Sequence, residues 1–284
     1  SVPEYRQAKG NSDRNFELLQ AQINETPKDW FSRAYLLEEC LVREHSDALF
    51  QAKLLESQVR SELLPKVARG ERSQHGVVKA LTAICVAFSK KAEFAAVCQV
   101  VEDASAAGVR HPNLDFLMGV ALENRSHSEK GSDRALLDSA LGAYMRVFSA
   151  DERVWVDPLI HGVRTWNGLV RMGTVLLCLG HSKDALEAFE LASNYESELH
   201  SEIALGKAES LNALGRCHEA LEVLLPLMEA APESSDVAIL AAEACDILGQ
   251  NDASKDFWDL AIRSVRKNLK GLHRLQRLNA RFAA

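Results

Sequence analysis

Aromatic residues are scarce in this sequence of 284 residues, at 6%, and it contains only 15 glycines and 7 prolines. Few helix breakers combined with abundant alanine and leucine favour helix. No apolar run approaches the roughly 18 residues of a membrane-spanning helix. The opening residues, SVPEYRQAKG, do not have the pattern of a secretory or transit signal. We therefore expect an all-α, cytoplasmic chain.

The six cysteines are dispersed, and none belongs to a Cys-x-x-Cys pair. Each occurs in an apolar, helix-like stretch, which is typical of small core residues in a reducing compartment. They are Cys40, Cys85, Cys98, Cys178, Cys217 and Cys245.

Motifs for catalysis or cofactor binding are missing. The sequence has no Gly-x-Gly-x-x-Gly or Walker-type loop and no Gly-x-Ser-x-Gly elbow. Its nine histidines are dispersed, without the His-x-x-x-His spacing of a metal site. We expect no catalytic residue, no metal and no cofactor in this chain. A Cys–His pairing stays an open alternative, because such groups meet only in space.

Charge is unevenly distributed. The formal net charge is −7, from 33 basic and 40 acidic residues. Residues 263–284 carry seven basic residues and no acid, so the remaining residues carry −7 − 7 = −14. This acidic balance argues against direct nucleic-acid binding.

A period of 34 or 35 residues recurs between residues 166 and 260. It begins with Gly180, Gly215 and Gly249. An alanine follows each glycine by four or five residues, and an aromatic residue or leucine comes four residues later. These pairs are Ala185 and Phe189, Ala220 and Leu224, and Ala253 and Phe257. Such a period indicates stacked helix–turn–helix units.

These residues resemble the tetratricopeptide repeat (TPR) family. That family has a large–small–large trio on the first helix of each repeat, and Leu169, Gly173 and Leu176 match it. The family's first-helix tryptophan is absent; Leu169, Ala204 and Val237 stand in its place. The resemblance implies an all-α, TPR-like superhelical solenoid of antiparallel helix pairs with a C-terminal capping helix.

We predict five segments from this pattern. They are an N-terminal segment with the first helix (1–27), degenerate helical repeats (28–148), an irregular connection (149–165), three clear repeats (166–262) and a basic amphipathic capping helix (263–284). Within the first two segments, Thr26-Pro27 reads as a helix N-cap with proline at the first helical position. Pro65, Gly70 and the polar residues 71–74 read as a connection.

A shorter resemblance lies near the N-terminus. Lys9, Arg14-Asn15, Leu18-Leu19 and Pro27 resemble the junction in bacterial family-2 glycosyltransferases, where a catalytic domain precedes such repeats. The resemblance implies that this chain is the accessory C-terminal repeat region of a larger enzyme. An Asp-x-Asp motif, which those enzymes need for their metal and sugar diphosphate, is absent, so we expect no catalysis here.

The resemblance also implies a concave groove lined by first helices, which binds a protein or peptide. The candidate groove residues are Asn113, Phe116, Asn124, Asn167, Val170, Thr174, Glu202, Glu209, Asn212 and Asp246. This set is acidic to neutral and partly apolar. It lacks the lysines and arginines with which one TPR subgroup holds a C-terminal carboxylate. A basic or apolar peptide therefore suits the groove better.

The C-terminal residues combine an apolar and a basic stripe at helical spacing. We interpret them as a helix that caps the last repeat. As an alternative, the chain is a stand-alone scaffold or regulator whose basic C-terminal helix contacts an anionic partner or a membrane surface. The candidate residues for that contact are Arg266, Lys270, Arg274 and Arg277. The sequence leaves the oligomeric state undetermined.

Overall fold

The protein is helical wherever its structure is described. A computed structural model describes residues 9–128, 133–151, 154, 159–195 and 200–267, and these residues contain no strand. The chain divides into two compact units. Unit 1 comprises Ser1–Arg125 and Gly142–Val163, and unit 2 comprises Ser126–Leu141 and Arg164–Ala284. The predicted all-α helical-repeat fold is confirmed.

Unit 1 is built from successive helices joined by short turns. Its helices are α1 (Lys9–Glu25), α2 (Trp30–Val42), α3 (Ala48–Gln58), α4 (Leu64–Ala68), α5 (Gln74–Lys90) and α6 (Phe94–Ala106), followed by the larger part of α7 (Pro112–Ser128) and the end of α8 (Arg134–Ser149). Helix α2 packs on α1, α3 and α5, and α5 packs on α6. Consecutive helices from α1 to α3 thus pack on one another, and α5 packs on α2, α3 and α6.

Unit 2 follows the same plan with greater regularity. Its main helices are α9 (Trp166–Leu179), α10 (Ser182–Ser193), α11 (Ser201–Ala213), α12 (Cys217–Ala230), α13 (Ser235–Ile247) and α14 (Asn251–Lys267). Every helix packs on the next one, α9 lies beside α11, and α11 lies beside α13. The first helices of consecutive pairs therefore form one continuous face.

The periodic glycines end the first helix of each pair in unit 2. Gly180, Gly215 and Gly249 have φ angles of +85°, +73° and +69°, in the left-handed region that favours glycine. At Gly180 the chain closes with the paired hydrogen bonds of a Schellman motif. The Gly180 N–H donates to the Leu177 carbonyl over 3.0 Å, and the His181 N–H donates to the Leu176 carbonyl over 2.9 Å.

Two turns in unit 1 have the same geometry without glycine. Glu44 and Ala92 follow α2 and α5 with φ angles of +54° and +56°. The Glu93 N–H donates to the Phe88 carbonyl over 2.9 Å, as the residue after each glycine does in unit 2. A side chain in this conformation is strained, and neither turn has the glycine that marks the turns of unit 2.

We expect Ala92→Gly to raise the free energy of unfolding. A left-handed conformation costs a non-glycine residue about 1–2 kcal/mol, whereas the added freedom of glycine in the unfolded chain costs about 0.4–1 kcal/mol. The net gain is about 0.5–1 kcal/mol from these two terms, measured by urea denaturation. Ala95→Gly, inside α6, is the control and should have the opposite sign. Equal losses for both variants would contradict the prediction.

Aromatic rings fill the space between helices where small residues allow close approach. The Phe189 ring lies against Gly173 of its own pair and Gly206 of the next. A Cβ atom at Gly173 would lie 2.8 Å from the ring, and one at Gly206 would overlap it. In unit 1, Tyr144 lies in the same way against Gly119 and donates its hydroxyl to Glu123 Oε2 over 2.8 Å. The absence of a side chain at Gly119, Gly173 and Gly206 therefore leaves the room that the rings occupy.

The third clear repeat is shifted by one residue from its predicted register. In the first two, the buried positions of the second helix follow the turn glycine by five, nine and twelve residues, as Ala185, Phe189 and Ala192 do. The same count from Gly249 gives Ser254, Trp258 and Ala261. Assigning Ala253 and Phe257 to the first two positions was wrong, because a buried serine replaces the expected alanine.

Helix α2 begins later than predicted. Its N-cap is Asp29 and not Thr26. Asp29 Oδ1 accepts the N–H groups of Phe31 and Ser32 at 3.1 and 3.2 Å, and Oδ2 accepts the Ser32 hydroxyl at 2.6 Å. The hydrogen bond from the Ser32 hydroxyl, together with those from the two N–H groups, holds the pKa of Asp29 below its usual value.

We expect Asp29→Ala to lower the free energy of unfolding by about 1 kcal/mol at pH 7, the usual value of an N-cap. Because folding lowers this pKa, the contribution is complete above the unfolded pKa of about 4. It is lost as the pH falls through the lower folded pKa. Thermal melts of both proteins from pH 7 to pH 2.5 measure this, and the difference should close in acid. Asp47→Ala is the control, since Asp47 precedes α3 without capping it through its side chain.

Pro65 lies inside a helical segment, so its assignment to a connection was wrong. A π-helical turn, Val59–Leu63, follows α3 and leads directly into α4, where Pro65 lies in the first turn. The first turn of a helix tolerates proline because its N–H groups have no partner within the helix. Gly70 and the residues after it do form the connection to α5.

All six cysteines are free thiols. Five are buried, and Cys178 is half-buried. Burial raises the pKa of Cys40 to about 11 and also raises the pKa of Cys85. Thiols held in the protonated form are poor nucleophiles, which agrees with their interpretation as core residues.

Candidate functional site

The first helices of unit 2, α9, α11 and α13, carry corresponding residues at fixed distances before the turn glycine. Thirteen residues before it lie Asn167, Glu202 and Asp236, and six residues before it lie Thr174, Glu209 and Glu243. We call this surface the first-helix face of unit 2. Four of these six positions are acidic; Glu209 and Glu243 are buried, so Glu202 and Asp236 are the acidic residues within reach of a cationic ligand.

Three predicted groove residues of this face are solvent-accessible. Asn167 and Thr174 are half-buried on α9, and Glu202 is exposed in the first turn of α11. The Thr174 hydroxyl donates to the Val170 carbonyl of its own helix over 3.0 Å. Within the described residues, no basic side chain forms an ion pair with Glu202. Glu202 is therefore the exposed charge among the six corresponding positions of this face.

Three other predicted groove residues are buried and serve helix packing. Val170 belongs to the apolar cluster around Phe189. Glu209 and Asn212 are 1% and 2% exposed. The Asn212 side-chain amide donates to the Leu240 carbonyl over 2.8 Å and to Glu243 Oε2 over 3.2 Å. Asn212 thus ties α11 to α13 through buried polar groups.

Asp246 lies at the end of α13 and accepts two hydrogen bonds from side chains of α14. Its Oδ1 accepts the Ser254 hydroxyl, and its Oδ2 accepts the indole N–H of Trp258 over 2.9 Å. These contacts join the two helices of the last described pair. Both carboxylate oxygens of Asp246 therefore already accept hydrogen bonds from α14.

The structure places the three predicted residues of unit 1 on α7. Asn113 is fully buried, and its side-chain polar atoms have no hydrogen-bond partner within the described residues. Phe116 is buried with its ring centroid 5.9 Å from that of Tyr144. Asn124 is half-buried and donates to the Val120 carbonyl over 2.8 Å. Only Asn124 of the three has an accessible side chain.

The four cations predicted to contact an anionic partner belong to the last helix and the tail. Arg266 falls in the last turn of α14. Lys270, Arg274 and Arg277 lie outside the described residues. Their contact with an anionic partner stays a prediction, as does the capping role of residues 263–284.

Sequence reasoning missed several first-helix residues. Asp236 and Glu243 were missed because the third repeat was read one residue out of register; counting back from Gly249 finds both. Counting of this kind starts from a turn glycine, and the turns after α2 and α5 have Glu44 and Ala92 in its place. The first-helix residues Phe31, Tyr35 and Lys79 of unit 1 were therefore missed. Neither turn contains a glycine that could reveal it.

Within the described ranges, no group of three histidine, cysteine or acidic side chains is arranged to hold a metal ion. In the same part of the chain, no helix combines the length and apolar character needed to cross a bilayer.

Solved structures with a similar fold are TPR proteins. The chain matches the crystal structure of YrrB, described as a TPR protein with an unusual peptide-binding site, over 76% of its own length and 98% of YrrB. The TM-score is 0.52 and the sequence identity 15%, so the chain has the TPR fold. A match to the P58(IPK) TPR domain covers 97% and 96% of the two chains at 12% identity, but its TM-score of 0.34 adds nothing to the assignment. No protein-family model and no curated protein matches the sequence.

Proposed function

We propose that this chain is a non-catalytic module that binds a protein or peptide on the first-helix face of unit 2. The observation that carries the proposal is the repetition of acidic residues at corresponding positions of consecutive helices. Thirteen residues before the turn glycine, Glu202 is exposed and Asp236 is half-buried, whereas Glu209 and Glu243, six residues before it, are buried. A TPR fold supports this function in general, since YrrB, which shares the fold, has a peptide-binding site.

The ligand that fits this face is a basic segment with apolar side chains. Glu202 supplies an accessible negative charge, and Asn167 lies half-buried at the corresponding position of the neighbouring helix. Leu205 lies one turn after Glu202, half-buried, and provides apolar surface. Lysine or arginine of the ligand would pair with the carboxylate while its apolar residues cover Leu205.

We expect Glu202→Lys to weaken binding of such a ligand about tenfold or more, which corresponds to about 1.4 kcal/mol. The probe is a fluorescently labelled peptide of alternating lysine and leucine, with blocked ends, and the measurement is fluorescence anisotropy. Charge reversal replaces an attraction with a repulsion at the accessible end of the face. Raising the salt concentration should weaken binding to the wild-type protein and reduce the difference between the two proteins.

The control is Glu187→Lys, which makes the same charge change at an exposed position on α10, the second helix of its pair. It should leave binding of the lysine–leucine peptide nearly unchanged. Equal losses for Glu202→Lys and Glu187→Lys would mean that the peptide responds to net charge alone, and the proposed face would be refuted.

We further propose that the module is the accessory region of a larger glycosyltransferase. The support is the resemblance around Arg14 and Leu18 described above. Reading the coding sequence upstream of Ser1 tests this. An α/β domain bearing an Asp-x-Asp motif in the same reading frame is the expected result, and a start codon immediately before Ser1 would refute it.

A further inference from the structure

Helix α2 of unit 1 presents a row of aromatic side chains to solvent. Phe31 is 48% exposed and Tyr35, one turn later, is 38% exposed. The Phe31 ring centroid lies 5.7 Å from that of Trp30 and 4.9 Å from that of Tyr35, both edge to face. The two rings therefore form one continuous apolar surface on this helix.

Cations from the α5 side hold these rings in place. The Lys79 ammonium lies 4.1 Å from the Tyr35 ring centroid and 2.9 Å from Glu38 Oε2. The Arg72 guanidinium lies 5.0 Å from the Trp30 ring centroid, just before α5 begins. Cation–π contacts of this length favour the observed orientation of the rings. A surface ordered before binding loses little conformational entropy when a ligand arrives.

The charge of this surface is positive at one end. Glu38 balances Lys79, whereas no described carboxylate lies within ion-pair distance of Arg72. A guanidinium carries its hydrogen-bond donors around the edge of its plane, so Arg72 can lie close to the Trp30 ring and still donate to a ligand. That geometry matches a carboxylate, which arginine binds through two parallel hydrogen bonds.

We propose that Trp30, Phe31, Tyr35, Arg72 and Lys79 form an aromatic platform that binds a peptide segment with acidic residues next to apolar ones. Apolar side chains of the segment cover Phe31 and Tyr35, and a neighbouring carboxylate pairs with Arg72. The exposed aromatic and arginine side chains are of the types that carry most binding energy in protein interfaces. The platform belongs to unit 1 and has the opposite charge preference to the first-helix face of unit 2, so it does not depend on the function proposed for that face.

The test uses the full chain and a labelled peptide of alternating glutamate and leucine with blocked ends. The wild-type protein should bind it, and the variant Phe31→Ala/Tyr35→Ala should bind it about tenfold or more weakly, because both apolar contacts are removed. Arg72→Glu should weaken binding by a similar factor and should remove most of its salt dependence. Anisotropy gives the affinities, and circular dichroism checks that each variant is folded.

Three controls make the result specific. Phe50→Ala removes an exposed aromatic residue on α3, outside the platform, and should not change affinity. A glutamate–serine peptide should bind weakly for lack of apolar side chains. The lysine–leucine peptide should be insensitive to the platform variants and sensitive only to Glu202→Lys.

Absence of binding by the glutamate–leucine peptide overturns the proposal. Equal binding of the glutamate–serine peptide does so as well, and so does unchanged affinity in Arg72→Glu. Because the two peptides and the two sets of variants are separate, failure of the platform is distinguishable from failure of the face on unit 2.

Discussion

Replacing Phe189 with alanine should lower the free energy of unfolding by about 3–5 kcal/mol, the usual cost of deleting a fully buried phenylalanine. The ring is 1% exposed and fills the space between α9, α10 and α11. Gly173 and Gly206 have no side chains that could move into the vacated volume. The cavity therefore stays open, and the cost should lie towards the upper end of that range. Equilibrium denaturation in urea measures the loss.

The opposite change tests the same contact. Gly206→Ala places a methyl group inside the volume of the Phe189 ring and should cost about 2 kcal/mol by overpacking. Combined with Phe189→Leu, it should cost less than the sum of the two single changes, because the smaller side chain leaves room for the methyl group. Phe50→Ala, at an exposed position on α3, is the control. A loss in Phe189→Ala no larger than in this control would contradict the described packing.

Asn212→Asp should destabilise the protein by about 3 kcal/mol at pH 7, since it buries a second carboxylate beside Glu243. The change is nearly isosteric, so it alters charge and hydrogen bonding but not volume. The donated hydrogen bonds to the Leu240 carbonyl and to Glu243 Oε2 are lost. Protonation of the introduced carboxyl restores a donor and removes the repulsion. The difference from the wild-type protein should therefore be largest at neutral pH and narrow towards pH 5, as measured by thermal melts.

Asn212→Ala separates the charge from the hydrogen bonds. It removes the same donor and should cost about 1–3 kcal/mol for the acceptors left without it, with a difference from the wild-type protein that changes little with pH. A pH-independent loss in Asn212→Asp, equal to that of Asn212→Ala, would show that the introduced carboxylate reaches solvent and that the site is not buried.

The regular repeats were predictable because their signals are local. Each of Gly180, Gly215 and Gly249 adopts a left-handed conformation that almost only glycine adopts without strain. Gly173 is small because the Phe189 ring lies against it. Both requirements act within one helix pair, so they leave a periodic trace in the sequence, and the fold class follows from that trace.

The less regular repeats were harder to predict because the structure tolerates strain there. Glu44 and Ala92 adopt the same left-handed conformation without glycine, so the sequence carries no marker for either turn. In the third clear repeat, the buried Ser254 occupies a position where alanine was expected. The neighbouring Ala253 was assigned to that position instead, which shifted the predicted register by one residue. In each case, the position tolerates a residue type that the family pattern does not predict.

The candidate site was predicted less well than the fold. The position of a residue along a helix indicates which side of the helix its side chain lies on, but not how deeply that side chain is buried. Glu209 and Asn212 lie on first helices as predicted, yet both are buried between α11 and α13. Asn113 is buried in the same way on α7. How closely neighbouring first helices approach is set by side chains from several helices, and one sequence does not report that distance. Glu202 and Asn167, nearer the helix starts, are accessible.

The packing order of unit 2 has a consequence for how fast this part of the chain folds. From α9 to α14, each helix contacts the next helix and, among the first helices, the next but one. Contacts close in sequence require only short loops to form, and domains dominated by such contacts fold in microseconds to milliseconds. Any adjacent helix pair can nucleate, and growth then proceeds in both directions along the array. The Phe189 ring contacts both its own helix pair and the next one. Its removal should therefore slow the propagation of folding from α9 and α10 to α11 more than it slows nucleation within α9 and α10.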